Sequence, residues 1–208
     1  MKYDATKHHR RSIRLKGYDY SQAGAYFVTI VTQDRACLFG EVVGGEMQLN
    51  DAGRIVLAEW DTLPGRFPTV ELDAFIVMPN HVHGIIAIST DDMTSNAGVN
   101  VGAGLVPALR ATIRATIRAT TRVAPTVGDI VGAFKSLTTV LYTHGVKQSG
   151  WPSFRGRLWQ RNYHEHIIRN DESLNRIRQY ILDNPACWAS DRENPQVGTP
   201  EPETAWLG

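Results

Sequence analysis

Leu72-Asp-Ala-Phe-Ile-Val-Met78, then Pro79-Asn80, then His81-Val-His-Gly-Ile-Ile-Ala-Ile-Ser89 is the stretch that decides the fold. Its two halves are rich in β-branched and aromatic residues, and only Pro79-Asn80 separates them. Both halves therefore read as strands, 72–78 and 81–89, joined in a tight hairpin. Side chains two apart on a strand share a face, so His81 and His83 present two imidazoles side by side while Val82 turns away. Neutral imidazoles at that spacing can share one divalent ion. Two histidines on an ordinary strand have the same spacing.

Working outward, Ala25–Thr32 (AYFVTIVT) is a further strand, bounded by Gly24 and Gln33-Asp34. Asn50 or Asp51 can cap a helix that carries Ile55, Leu57, Ala58 and Leu63 to a stop at Pro64-Gly65. Beyond the hairpin, residues 90–126 break the pattern with GVNVGAGLVPAL and the repeat RATIRATIRATTR, and read as a low-complexity insertion. A helix follows over 127–144, with Ile130, Val131, Phe134, Leu137, Val140 and Leu141 on one face and Gly145 as its C-cap. Leu158–Ile168 reads as a fourth strand. Asn170-Asp171-Glu172 caps a last helix that Pro185 ends near Asn184.

The order strand, helix, strand, strand, helix, strand, helix predicts an α+β fold. Its first six elements form the ferredoxin-like split βαβ arrangement, an antiparallel sheet with helices on one face, and a C-terminal helix is added. That fold alone decides no function. The expected domains are a basic lead-in over 1–24, a single domain over 25–188 interrupted by the insertion, and a polar tail over 189–208.

The last helix carries a second candidate group. Tyr180 and Asn184 are four apart and share a face with Arg176 one turn earlier. A phenol can be a covalent nucleophile, an amide carbonyl can ligate a hard cation, and a guanidinium suits a phosphate. A half-buried structural tyrosine fits the same spacing. His164-Glu165-His166 alternates on its predicted strand as the first pair does, and spacing cannot rank the two. Glu165 or His166 could instead orient a ligand imidazole.

The 208 residues carry 22 Lys and Arg against 21 Asp and Glu, so any nucleic-acid contact must come from local concentrations of charge. Arg10, Arg11, Arg14 and Lys16 form one such cluster, interleaved with His8, His9, Tyr18 and Tyr20, and Lys135 adds a basic residue near the expected core. Arg110, Arg114, Arg118 and Arg122 recur through the insertion. Cys37 and Cys187 form no CxxC pair, which points away from a zinc–thiolate site and toward reduced thiols in the cytoplasm. No apolar run approaches the roughly 18 residues of a membrane span, and the basic N-terminus lacks the apolar stretch of a signal peptide.

The hairpin MPNHVHGII, the stretch WQRNYHEHIIRNDESL, the helix IRQYILDNP and the lead-in RRSIRLKGYDYSQAGAYFVTI together resemble the REP-associated tyrosine transposases. These are single-tyrosine members of the HUH endonuclease superfamily, named for a His-hydrophobic-His motif. The resemblance covers most of the chain except the insertion and the tail. It implies His81 and His83 as metal ligands, Asn184 as a third ligand and Tyr180 as nucleophile, and it sets His164 and His166 behind the first pair. It further implies Mg²⁺ or Mn²⁺, a 5′-phosphotyrosine intermediate, and single-stranded DNA beside a REP-like hairpin as substrate. A homodimer stays open. The alternatives are a ferredoxin-like nucleic-acid binder without catalysis and an inactive, domesticated relative.

Overall fold

A computed structural model describes residues 19–89 and 125–197. Arg10, Arg11, Arg14, Lys16, nearly all of the 90–126 insertion and the last eleven residues of the chain lie outside them. The described chain runs β1 (Gly24–Val31), β2 (Gly40–Val43), β3 (Glu46–Leu49), α1 (Asp51–Trp60), β4 (Val70–Val77), β5 (His81–Ile88), α2 (Val127–Ser149), β6 (His164–Ile168) and α3 (Asp171–Asp183). Four strands form an antiparallel sheet in the order β4-β5-β1-β6. With β2–β3 set aside as a separate hairpin, this is the ferredoxin-like order expected from the sequence.

Strand alternation sorts the side chains into two layers. Tyr26, Val28 and Ile30 of β1 join Val82, Ile86 and Ile88 of β5 in the larger core, against Val56 and Trp60 of α1 and Ile130, Val131 and Phe134 of α2. Phe27 and Ile85 face the other way and pack against Ile177 and Ile181 of α3. The imidazoles of His81 and His83, in step with Ile85, therefore open onto the α3 side. A bulge between Leu72 and Phe75 shifts the register of β4 on β5. It lets Leu72 and Phe75, of opposite parity, both face the larger core, and leaves Ala74 and Ile76 to α3.

Trp60 stacks on Phe75 with ring centroids 4.3 Å apart. Gly84 makes room for that pair, because a Cβ there would lie 2.5 Å from the Trp60 ring. The bidentate ion pair of Arg178 with Asp73 (2.8 and 2.5 Å) fastens α3 to the edge strand β4.

Several boundaries differ from the sequence reading, each for a local reason. Asn50 caps α1 by accepting from the Gly53 amide, but the buried face is Ala52, Val56, Glu59 and Trp60, and Leu57 is exposed. Glu59 is tolerated inside because Arg66 pairs with it at 2.9 Å. α2 runs past Gly145 to Ser149 and ends on Gly150 at φ 67°. Gly145 is a packing glycine instead, where a Cβ would stand 2.2 Å from the Trp151 ring. The fourth strand starts at His164 rather than Leu158, because the Lys135 ammonium gathers the carbonyls of Gln160, Arg161 and Asn162 (2.8, 3.3 and 3.1 Å) and turns them out of the ladder. The β2–β3 hairpin, which the sequence reading passed over, turns on Gly44 and Gly45, both at positive φ.

Candidate metal and tyrosine site

The tight turn at Pro79-Asn80 is closed by the Met78 amide donating to the His81 carbonyl at 2.8 Å. β5 thus begins at His81, at the end of the sheet. The two imidazoles turn their Nε2 atoms toward each other across 3.0 Å. Two ligands bonded at right angles to one small octahedral cation sit about 3 Å apart, so this separation fits a shared ion. On the far side of each ring, Nδ1 of His81 meets Asn80 Oδ1 at 2.9 Å, and Nδ1 of His83 meets Thr29 Oγ1 at 2.8 Å.

Both rings are buried. Burial pushes His81 down to about 4 and His83 well below the usual histidine range, with the neighbouring His81 adding to the effect. Both imidazoles are therefore neutral near pH 7, the form that binds metals.

Tyr180 reaches the site from α3. Ile177 and Ile181 seat that helix on the sheet, which leaves Tyr180 on its flank, 45% exposed. Its hydroxyl lies 3.5 Å from His83 Nε2, and its ring stands edge-on to Phe27, which in turn stacks on the His83 ring. Burial of the hydroxyl end and the nearby Asp191 carboxylate push the phenol up to about 12, so it rests protonated.

Asn184 remains in the helical region (φ −57°, ψ −41°) although Pro185 follows it, which keeps its side chain on the Tyr180 row. Its side-chain amide neighbours His81, Tyr180 and Asp191. Its Oδ1 is buried without a hydrogen-bond partner. An orphaned carbonyl oxygen beside two facing imidazole nitrogens is a donor set with room for a cation.

The fourth member is one that the sequence reading missed. Asp191 folds back so that its carboxylate lies 3.9 Å from His81 Nε2, and His81, His83 and Asp191 form a group able to hold a metal ion. Residues 189–197 are thus no loose tail. Glu193 and Asn194 are buried, Arg35 pairs with Glu193 at 3.0 Å, and Asn80 donates to the Glu193 carbonyl at 2.6 Å. The domain accordingly continues past residue 188.

The other expected residues separate. His164 lies in one row across the sheet with Thr29 and His83, two strands from the facing pair with β1 between. His166 sits on that face beside Phe27, whereas Glu165 pairs with Val28 and points to the larger core. The Nδ1 atoms of His81 and His83 meet Asn80 and Thr29 rather than Glu165 or His166. Arg176 is exposed one turn before Tyr180. Lys135 is engaged with three loop carbonyls and lies 5.7 Å from the Tyr163 ring centroid.

No family model matches the chain. A protein of Haemophilus influenzae (strain Rd), named only as an uncharacterized protein, is 39% identical over 194 residues, covering 92% of this chain and 96% of the relative. Among solved structures, a REP-associated tyrosine transposase bound to a REP hairpin aligns at TM-score 0.44 and 19% identity, over 83% of this chain and 73% of that one. A candidate transposase of Deinococcus radiodurans R1 aligns at TM-score 0.36 and 18% identity, over 83% and 97% of the two chains.

Proposed function

The chain belongs to the same family as the Haemophilus influenzae protein, and we propose that it cleaves and rejoins single-stranded DNA with Tyr180 as the nucleophile. The observation that carries this reading is the placement of the Tyr180 hydroxyl 3.5 Å from Nε2 of His83, the nitrogen that also faces His81. A nucleophile beside a metal-ligating pair is what phosphodiester transfer needs. The motif resemblance to REP-associated tyrosine transposases supports the same assignment.

In this reading His81, His83, Asp191 and Asn184 hold a divalent ion, Mg²⁺ or Mn²⁺. When bound, that ion offsets charge at the scissile phosphate and favours the phenolate over the phenol. Tyr180 Oη forms a bond to phosphorus as the bond from phosphorus to the 3′ oxygen breaks. The products are a 5′-phosphotyrosine and a 3′-hydroxyl, and the phenol proton ends, in net balance, on that hydroxyl. Reversal by a 3′-hydroxyl rejoins strands without ATP, because the covalent link conserves the phosphodiester energy. Arg176, exposed on the Tyr180 row, meets the DNA backbone, as does the basic cluster Arg10, Arg11, Arg14 and Lys16; Lys135 contributes from the rim of its loop. The substrate is single-stranded DNA beside a REP-like hairpin.

The test is incubation with labelled single-stranded oligonucleotides taken from hairpin repeats near the gene, with Mn²⁺ or Mg²⁺. The expected result is a denaturation-resistant adduct that maps to Tyr180 and disappears with chelator. An adduct on Tyr142 or Tyr163, or tight binding with no adduct in either metal, would overturn the assignment.

A further inference from the structure

We propose that Asn80 is a positioning residue that locks His81 in the Nδ1–H tautomer and couples that tautomer to the docking of residues 191–194. The inference rests on the reading of His81 and His83 as a ligand pair. Asn80 is fully buried, and its amide nitrogen donates to two backbone carbonyls, Arg35 at 2.9 Å and Glu193 at 2.6 Å. Those carbonyls can only accept, so they fix which end of the amide is nitrogen. The oxygen end therefore faces His81 Nδ1 at 2.9 Å. An amide oxygen cannot donate, so Nδ1 carries the proton and the lone pair of His81 is on Nε2, aimed at His83 and Asp191.

His83 is held differently. Its Nδ1 faces the Thr29 hydroxyl, which can donate or accept. His83 is thus free to exchange tautomers where His81 is not. In the metal-free chain His83 carries its proton on Nε2 and donates it to the lone pair of His81. With a cation present the proton belongs on Nδ1, and the Thr29 hydroxyl turns to accept it. One ring is a committed ligand and the other adapts.

The same amide joins this chemistry to the C-terminal segment. Asn80 holds the Glu193 carbonyl, Arg35 holds the Glu193 carboxylate, and the Glu193 N–H donates to Asp191 Oδ1 at 2.6 Å. Asp191 reaches His81 only while that segment is docked. Loss of the whole Asn80 amide is expected to release the carboxylate and the tautomer together, and loss of its donors alone the carboxylate only.

The decisive measurement is a long-range proton–nitrogen correlation spectrum of the full, metal-free chain with ¹⁵N-labelled histidine. His81 is expected as a single Nδ1–H tautomer, and an Nε2–H or averaged signal overturns the proposal. Asn80→Ala should mix the His81 tautomers and weaken Mn²⁺ binding roughly 10- to 100-fold. Asn80→Asp keeps an acceptor for Nδ1–H but lacks both donors, so it should retain the tautomer while residues 191–194 lose hydrogen-exchange protection. Thr29→Val should leave the His81 tautomer unchanged. Unaltered tautomer and protection in both Asn80 variants overturn the proposal, and if Asn80→Ala fails to fold, the wild-type spectrum and Asn80→Asp still decide. A wild-type chain with the Nδ1–H tautomer that binds no Mn²⁺ would refute the ligand pair and leave the tautomer lock standing.

Discussion

The hydroxyl of Tyr180 and Nε2 of His83 stand 3.5 Å apart although 97 positions separate them in the chain. Tyr180→Phe removes one oxygen and leaves the ring, which keeps its edge contact with Phe27. The half-exposed position predicts a change in stability within about 0.5 kcal/mol. DNA binding should persist while the covalent adduct disappears. Gel shift, adduct formation and Tm measured on one preparation check this, and an adduct that survives the substitution would move the nucleophile elsewhere.

Asp191→Asn keeps the size of the side chain and removes the charge beside His81. Mn²⁺ affinity should fall at least about tenfold, the scale on which metal sites respond to perturbed support. Titration followed by electron paramagnetic resonance reads it. Unchanged affinity would leave Asn184 and the two histidines as the protein ligands.

Gly84→Ala places a methyl 2.5 Å from the Trp60 ring and 2.9 Å from the Phe75 ring. Overpacking of this kind costs about 1–3 kcal/mol. The urea midpoint should drop with an unchanged slope. An undiminished midpoint would mean that the Trp60–Phe75 stack yields without cost.

The Arg178 guanidinium holds the Asp73 carboxyl below its usual range. A carboxylate depressed by folding adds stability above its unfolded pKa, about 4, and that stability is lost as pH falls through the lower folded value. The pair is partly exposed, so screening limits its contribution. Wild type should exceed Asp73→Asn in stability near neutral pH, with the gap closing below about pH 4. Chemical denaturation at a series of pH values checks this, and a gap independent of pH would assign the difference to packing.

Local periodicity is legible wherever neighbours in sequence settle the structure. The alternation around His81 and His83 already put both rings on one face, and the four-residue step already put Tyr180 and Asn184 on one row. The Gly44-Gly45 turn between GEVV and EMQL carried the same kind of signal and could have been read as a hairpin. The bulge that lets Leu72 and Phe75 face one core was not legible, because strict alternation assigns them to opposite faces.

By itself, then, the chain determined the order of the four strands of the main sheet and of the helices among them, the antiparallel hairpin at Pro79-Asn80, and the shared faces of His81 with His83 and of Tyr180 with Asn184. These follow from backbone geometry over a few residues. Tertiary structure alone decided which face receives α3, that Thr29 and Asn80 rather than Glu165 or His166 hold the imidazoles, and that Asp191 closes the site. Those contacts join strands, a turn and a C-terminal segment more than a hundred positions from its anchor. No local spacing encodes such a contact; only packing of the whole domain brings it about.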